Sequence, residues 1–450
     1  MTLDNRPYES LSIGDHAEYR RLVTFDDLYV FAAATGNHNP MNLPDQDLDG
    51  DGMRESRAPA TFVAAMVATT LGNYLPGPGT SYRSQSLRFH GVARVGDELV
   101  ARVTVTGLTG GVAVLATEVA CRGVVIAEGE AEVNAPDHEI SFDDSALPGL
   151  IVQSHRQFDA ILARARGLAA LRTAVVWPSD AASLAGALRA MEAGLITPLL
   201  IGQGLRALAS GLGLDLTGAE VIEAATDTEA AALAVDLVRQ GRAGAVMKGH
   251  LHTDTLLRPM LARETGLRTG RRFSHVFVMD VPGVDHPILV SDAAINIAPD
   301  LETKVQITQN AIDLAHRLGI ACPRVAVLSA VEVPTPDMPS SMDAAALAAM
   351  TGGRITGGVV EGPYAMDIAV NPAAARAKGV TGLVAGRADV LIVPGIEAGN
   401  ILVKLLTHLA HAEAAGLVMG ASVPVILTSR SDGMTARLVS CALAVLQARA

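Results

Sequence analysis

Aromatic side chains make up only 3% of the 450 residues, with a single tryptophan. Any core must therefore be closed by small aliphatic groups, and a hydrophobic fraction of 49% supplies them. Cysteine is also rare. Cys121, Cys322 and Cys441 lie far apart, leave one thiol over in any pairing and have no metal-ligand spacing. That excludes a disulfide framework and fits a reducing cytoplasm. Positive charge is in deficit: the net charge is −12, which argues against nonspecific nucleic-acid binding. No apolar run reaches the roughly 18 residues of a membrane span. The opening stretch MTLDNRPYESLSIGD lacks the basic and apolar regions of a signal peptide. Neither GxGxxG nor GxxxxGK[ST] follows a strand, so dinucleotide and P-loop readings have no support.

The chain does contain regular alternation. From residue 151 onward, short β-rich runs at 174–177, 198–201, 220–223, 243–247 and 325–328 alternate with helical periods. This predicts a parallel sheet covered on both faces. The organising stretch is 388–432. An apolar run at 390–393 stops at Pro394 and Gly395, and a helical period follows through Ile401, Leu402, Leu405, Leu406 and Leu409. A second strand at 423–427 ends in Thr428, Ser429, Arg430, Ser431 and Asp432, ahead of another helix. Ligands in such sheets bind beyond the carboxyl ends of the strands. The polar clusters 397–400 and 429–432 are therefore expected to face one cleft.

Residues 1–135 read differently. A short helix at 25–34 and a small, apolar central helix at 59–75 precede strand-like runs at 81–89, 98–106, 112–122 and 124–133. Hairpin turns separate the runs, which predicts an antiparallel sheet on one long helix, an α+β layer. The acidic, proline-bounded stretch 136–150 reads as a solvated linker between domains at 1–135 and 151–450.

The first domain resembles the hot-dog fold of the MaoC type, the (R)-specific enoyl-CoA hydratases. The resemblance rests on Ala34-Thr35-Gly36-Asn37-His38-Asn39-Pro40-Met41-Asn42, on 75–80, and on Ser84-Gln85-Ser86-Leu87-Arg88-Phe89 with Arg94-Val95-Gly96-Asp97. In that family an Asp and a His in the turn activate water. Asn37 and Asn42 hold those positions here, and an amide cannot act as a general base. A His-Gly usual at the start of the central helix is Ala60-Thr61, and His38 sits beside the vacant Asp position. The expectation is a degenerate domain that keeps an acyl-CoA or dimer role. A bifunctional protein with hydratase activity is the alternative.

Several polar residues stand at strand ends or helix starts in the second domain. Asp292 and Asn296 follow an apolar strand, and Asp367 lies in a stretch read as a glycine-rich loop, 357–367. Arg258 lies near a helix start, where a guanidinium suits phosphate. Asn400 and Lys404 are one helical turn apart and share a face. With 290–299, Lys378-Gly379, 388–394, Ala398-Gly399-Asn400 and Ser429-Arg430, these residues resemble the phosphate acetyl/butyryl transferase family across roughly 155–448. The resemblance implies reversible acyl transfer between coenzyme A and phosphate, without a covalent intermediate, metal or permanently bound cofactor. It also implies a two-subdomain α/β fold like isocitrate and isopropylmalate dehydrogenases, a cytoplasmic homo-oligomer (a dimer or higher), and no nucleic-acid or membrane partner. Carried over residue by residue, Ser429 and Arg430 match the family's Ser-Arg pair. Asp432 takes the base position at a different offset from acetyl-specific members. Arg258, Asp292, Asn296, Asp367, Gly399, Asn400 and Lys404 are the expected substrate contacts.

Overall fold

The structure is a computed structural model that describes residues 2–43, 57–146, 150–428 and 432–449. Its contacts divide it into two units, Met1–Val152 and Gln153–Ala450. The first contains β1 (Thr2–Asp4), β2 (His16–Leu22), α1 (Phe25–Thr35), α2 (Ala60–Asn73), β3 (Ser81–Phe89), β4 (Glu98–Thr109), β5 (Val112–Cys121), β6 (Val124–Asn134) and β7 (Ser141–Asp143). Five strands pair antiparallel in the order β2-β4-β5-β6-β3. Burial alternates along β4, where Leu99, Ala101, Val103 and Val105 turn inward. They meet Val63, Met66, Val67 and Leu71 of α2. Each Val, Leu or Met among them contributes about 1.5–3 kcal/mol by leaving water. An antiparallel sheet packed on one long helix is the hot-dog arrangement.

The stretch 136–150, expected as a solvated linker, is largely exposed over its described residues but contains a short strand. Strand β7 pairs with β1, Leu3 opposite Phe142, and Asn5 bonds the backbone of His138 and Ile140. A three-residue strand is too short to show alternation, so composition alone hid it.

The second unit contains α3 (Arg156–Arg166), β8 (Leu171–Val176), α4 (Ala181–Glu192), β9 (Ile196–Ile201), α5 (Leu205–Leu212), β10 (Glu220–Ile222), α6 (Asp227–Arg239), β11 (Ala245–Lys248) and α7 (Thr253–Met260). Then follow β12 (Ser274–Asp280), β13 (Ile288–Ser291), α8 (Leu301–Arg317), β14 (Arg324–Leu328), α9 (Pro339–Ala349), β15 (Val359–Tyr364), α10 (Met366–Val370) and α11 (Pro372–Ala377). The last elements are β16 (Val390–Ile392), α12 (Ile396–Leu409), β17 (Glu413–Met419), β18 (Val425–Ile426) and α13 (Met434–Gln447).

All its strands join one sheet of 11 strands, ordered β10-β9-β8-β11-β18-β17-β12-β13-β16-β14-β15. The block β10 to β18 is parallel, and so is the block β13 to β15. Antiparallel pairing through β17 and β12 sets the two blocks in opposite directions. The expected strand–helix–strand–helix layer over 388–432 is therefore corrected. Strands β16 and β18 belong to opposite blocks, and β17 intervenes. Its sequence, EAAGLVM, is rich in Ala and Gly rather than in β-branched residues, so it gave no strand signal. The glycine-rich stretch 357–367, expected as a loop, is mostly the edge strand β15.

One face of the sheet is covered continuously by α3, α4, α5, α8, α9 and α13. The opposite face is covered in two patches, by α6 and α7 over one block and by α10, α11 and α12 over the other. A gap remains between these patches, above the central strands.

Candidate active site

The gap is a cavity of ≈ 650 Å³. Phe277, Ala414 and Leu427 form its floor, where the central strands pass underneath. One wall is a single face of α12: Asn400, Val403, Lys404, Thr407 and His408, spaced as helix neighbours. The opposite wall is Lys248, Leu251, His252 and Thr253, which connect β11 to α7. Thr428, Asp432, Gly433 and Ala436 close one end.

Two helices begin at this cavity. Neither α7, after His252, nor α13, after Gly433, has a side-chain cap. Their first N–H groups and partial positive ends suit an anion. Lys248, only 5% exposed, lies beside them at the carboxyl end of β11. The sheet register places Lys248, Leu427, Gly416 and Phe277 in one row across four adjacent strands. At normal strand spacing Lys248 and Phe277 are about 14 Å apart. Phe277 thus lies at the end away from Lys248, on the side of the α12 wall with Lys404 and His408.

The expected site residues separate into three groups. Asn400, Lys404 and Asp432 line the cavity together. Ser429 and Arg430 lie outside the described residues, between Thr428 and Asp432. Asp292, Asn296 and Gly399 act one layer behind the wall. Asp292 is 2% exposed and accepts from the backbone of Ala294, Ile295 and Asn296 and from the Asn296 side chain. Burial raises its carboxyl above the usual range, and those hydrogen bonds oppose the rise. Asn296 also bonds the Phe273 carbonyl. The pair therefore staples a turn that presents Ala293 and Ala294 to the cavity, instead of meeting a ligand itself. Gly399 lets α12 approach this turn: a Cβ there would lie 2.8 Å from both the Ala293 Cβ and a Val393 methyl.

Arg258 and Asp367 do not line the cavity. Arg258 is exposed in the last turn of α7, away from the helix start where a phosphate would bind. Helix α7 has only eight residues, and its start is at Thr253. Asp367 is exposed and pairs with Lys378 at 3.1 Å, which also holds Glu332 at 3.0 Å. The lysine holds its carboxyl below the usual range. Sequence reasoning missed Lys248, His408 and Glu413. Lys248 had a usable signal, a lysine at the end of an apolar strand. Glu413 begins the strand that was not recognised.

His275 lies beside the floor, two residues before Phe277 on β12 and on the same face of the sheet. It is fully buried, its ring sits 4.2 Å from that of Phe277, and a Cβ on Gly416 would collide with it. Neither ring nitrogen has a hydrogen-bond partner; the Leu427 backbone approaches without hydrogen-bond geometry. Burial pushes its pKa from 6.5 down to about 4. Between those values the unfolded chain takes up a proton that the native state refuses. Stability is therefore lost on acidification through that window, by at most about 3 kcal/mol. His275→Leu should flatten the fall in Tm between pH 6.5 and 4.5. Asp280 and Asp292, raised by burial, act in the opposite direction in both proteins and cancel in the comparison. Parallel Tm profiles would exclude this role for His275.

Residues 223–445 match the family model described as phosphate acetyl/butaryl transferase. The phosphate acetyltransferase of Rhizobium meliloti is 52% identical over 295 residues, 65% of this chain and 93% of the relative. The chain belongs to the phosphate acetyl/butyryl transferase family. Among solved structures, a branched-chain phosphotransacylase from Enterococcus faecalis V583 is 32% identical, with a TM-score of 0.55 over 62% of this chain and 99% of its own. The family model begins at Glu223, so it takes in both cavity walls, from Lys248 to α12, and the end at Asp432. An R-hydratase from Pseudomonas aeruginosa is 31% identical over 34% of this chain and 99% of its own, with a TM-score of 0.32.

Proposed function

We propose that this chain transfers an acyl group, acetyl in the first instance, between coenzyme A and orthophosphate at the cavity of the second unit. The observation that carries the proposal is the convergence of Lys248 and two uncapped helix starts at one end of the cavity. The similarity to phosphate acetyltransferases supports the same reading.

Toward acyl phosphate, a phosphate oxygen attacks the thioester carbonyl. A C–O bond forms, the C–S bond breaks, and the thiolate leaves and is protonated. In reverse, the thiol must first lose its proton, because the thiolate is the nucleophile. Asp432 is the candidate acceptor. Lys248 and the N–H groups at the starts of α7 and α13 hold the phosphate and offset charge as it develops. Asn400 and Lys404 are placed to steady the carbonyl or the phosphate from α12. Ser429 and Arg430 enter by sequence match to the family. Incubation of acetyl-CoA with phosphate should release coenzyme A and accumulate hydroxylamine-trappable acyl phosphate. No product with acetyl-, propionyl- or butyryl-CoA would refute the proposal.

The first unit is read as a noncatalytic acyl-CoA or dimer module. Asn37 caps its own turn, accepting from the backbone of Asn39 at 3.2 Å, and Asn42 ends a short 3-10 turn. The wild type should not hydrate crotonyl-CoA, whereas Asn37→Asp/Asn42→His should gain measurable hydration. Hydration by the wild type would instead establish a bifunctional enzyme. The continuous sheet with two opposed parallel blocks supports the comparison with isocitrate dehydrogenase. Three free cysteines fit a cytoplasmic protein, and coenzyme A and phosphate act as substrates.

A further inference from the structure

Arg437 is a buried cation that no step of the acyl transfer uses. It is 5% exposed and closes the first turn of α13, where its backbone N–H donates to the Gly433 carbonyl at 3.3 Å. Its side chain does not line the cavity. It runs between α13 and α4, where Gly186 makes room: a Cβ there would lie 2.8 Å from the Arg437 Cδ. Its Nη1 donates to the Thr428 Oγ1 at 3.1 Å. Thr428 is also buried, and it lines the end of the cavity with Asp432, Gly433 and Ala436. One side chain thus ties the exit of β18 to the first turn of α13, on either side of Asp432. A turn further along α13, the Ser440 Oγ donates to the Ala436 carbonyl at 2.8 Å and accepts from the Gly416 N–H at 3.1 Å. Gly416 belongs to the row across the sheet that holds Lys248 and Phe277.

We infer that Arg437 is a positioning residue for the phosphate end of the cavity: through Thr428 it fixes where the first N–H groups of α13 point. The inference rests on the phosphate-binding role proposed for that helix start. Helix α13 has no side-chain cap, so its first donors are aimed by whatever holds the helix from behind. Donors in a site must stay within about 0.5 Å of their productive position, and buried side-chain bonds behind them supply that precision. Ser440 sets the height of α13 against the sheet, and Arg437 sets its first turn against the end of β18. The effect should therefore fall on phosphate, which meets those N–H groups, and not on acetyl-CoA.

The test is a double-mutant cycle in the full chain. Arg437→Met should raise the KM for phosphate about tenfold, the worth of one hydrogen bond to a charged group, with the KM for acetyl-CoA within about twofold of wild type. Thr428→Val keeps the guanidinium and the shape of the threonine but removes its acceptor, and should raise the KM for phosphate to a similar extent. The double variant should be no worse than the more affected single one, because all three lack the same contact. Effects that multiply in the double variant overturn the inference. So does a lowered Tm with an unchanged KM for phosphate, which marks a residue that only supports the fold. If Arg437→Met does not fold, Thr428→Val decides alone, and an unchanged KM for phosphate there overturns the inference. A wild type that makes no acyl phosphate refutes the reaction, and phosphate affinity measured by calorimetry then decides. A tenfold loss in the variants supports the inference; equal affinity, or no binding by the wild type, overturns it.

Discussion

Lys248→Met is expected to lower kcat/KM for acyl-phosphate formation by about 10²–10³-fold, or about 3–4 kcal/mol, the loss typical of one preorganised charge-stabilising donor. Lys248 is 5% exposed, and its Nζ lies 3.5 Å from the Gly249 carbonyl. An anionic substrate bound where two helices begin would lie within reach of this charge. Methionine has nearly the same length and keeps the packing. The KM for phosphate should rise. A purely structural lysine would instead give a lower Tm with kcat/KM of the folded protein within about threefold of wild type.

Shortening Phe277 is expected to change which acyl group is preferred. Phe277 is the one Phe, Tyr or Trp among the described residues that line the cavity, which Ala293 and Ala414 also line. His275 packs against its edge, and Ser291 anchors the His275 carbonyl at 2.8 Å. This backing limits how far the ring can move. An acyl chain whose carbonyl sits near Lys248 points toward this ring. Each methylene accommodated is worth about 1–3 kcal/mol of discrimination. Phe277→Ala should raise the butyryl-to-acetyl ratio of kcat/KM by about tenfold or more. Phe277→Leu should give a smaller shift in the same direction and is the safer variant, because Phe→Ala in a core can cost about 3–5 kcal/mol of stability. Equal losses for both substrates would mean the acyl chain lies elsewhere in the cavity.

Much of the fold was legible because it is written in short-range periods. The four strands after α2 could be placed from alternation and hairpin turns. Most strands of the second unit could be placed from β-rich runs between helical periods. The strands that failed lack such a signal: β7 has three residues, β15 is interrupted by Gly362 and Pro363, and β17 is Ala- and Gly-rich. Missing β17 had the largest consequence. Without it, β16 and β18 read as neighbours in one parallel layer, and the reversal between the two blocks is invisible.

The site divides along the same line. The sequence by itself determined the two kinds of fold, the family of the second unit, and the face of α12 that holds Asn400 and Lys404, since residues four apart on a helix share a side in any context. Only the tertiary structure decided that Lys248, Phe277 and His408 meet at one cavity. They lie on segments far apart in the chain, brought together by strand pairing across the centre of the sheet. It also placed Asp292 behind the wall and Arg258 and Asp367 away from the cavity. Whether a carboxylate or guanidinium faces a ligand, a backbone turn or water depends on the neighbours that fill its hydrogen bonds, and the sequence does not specify those neighbours.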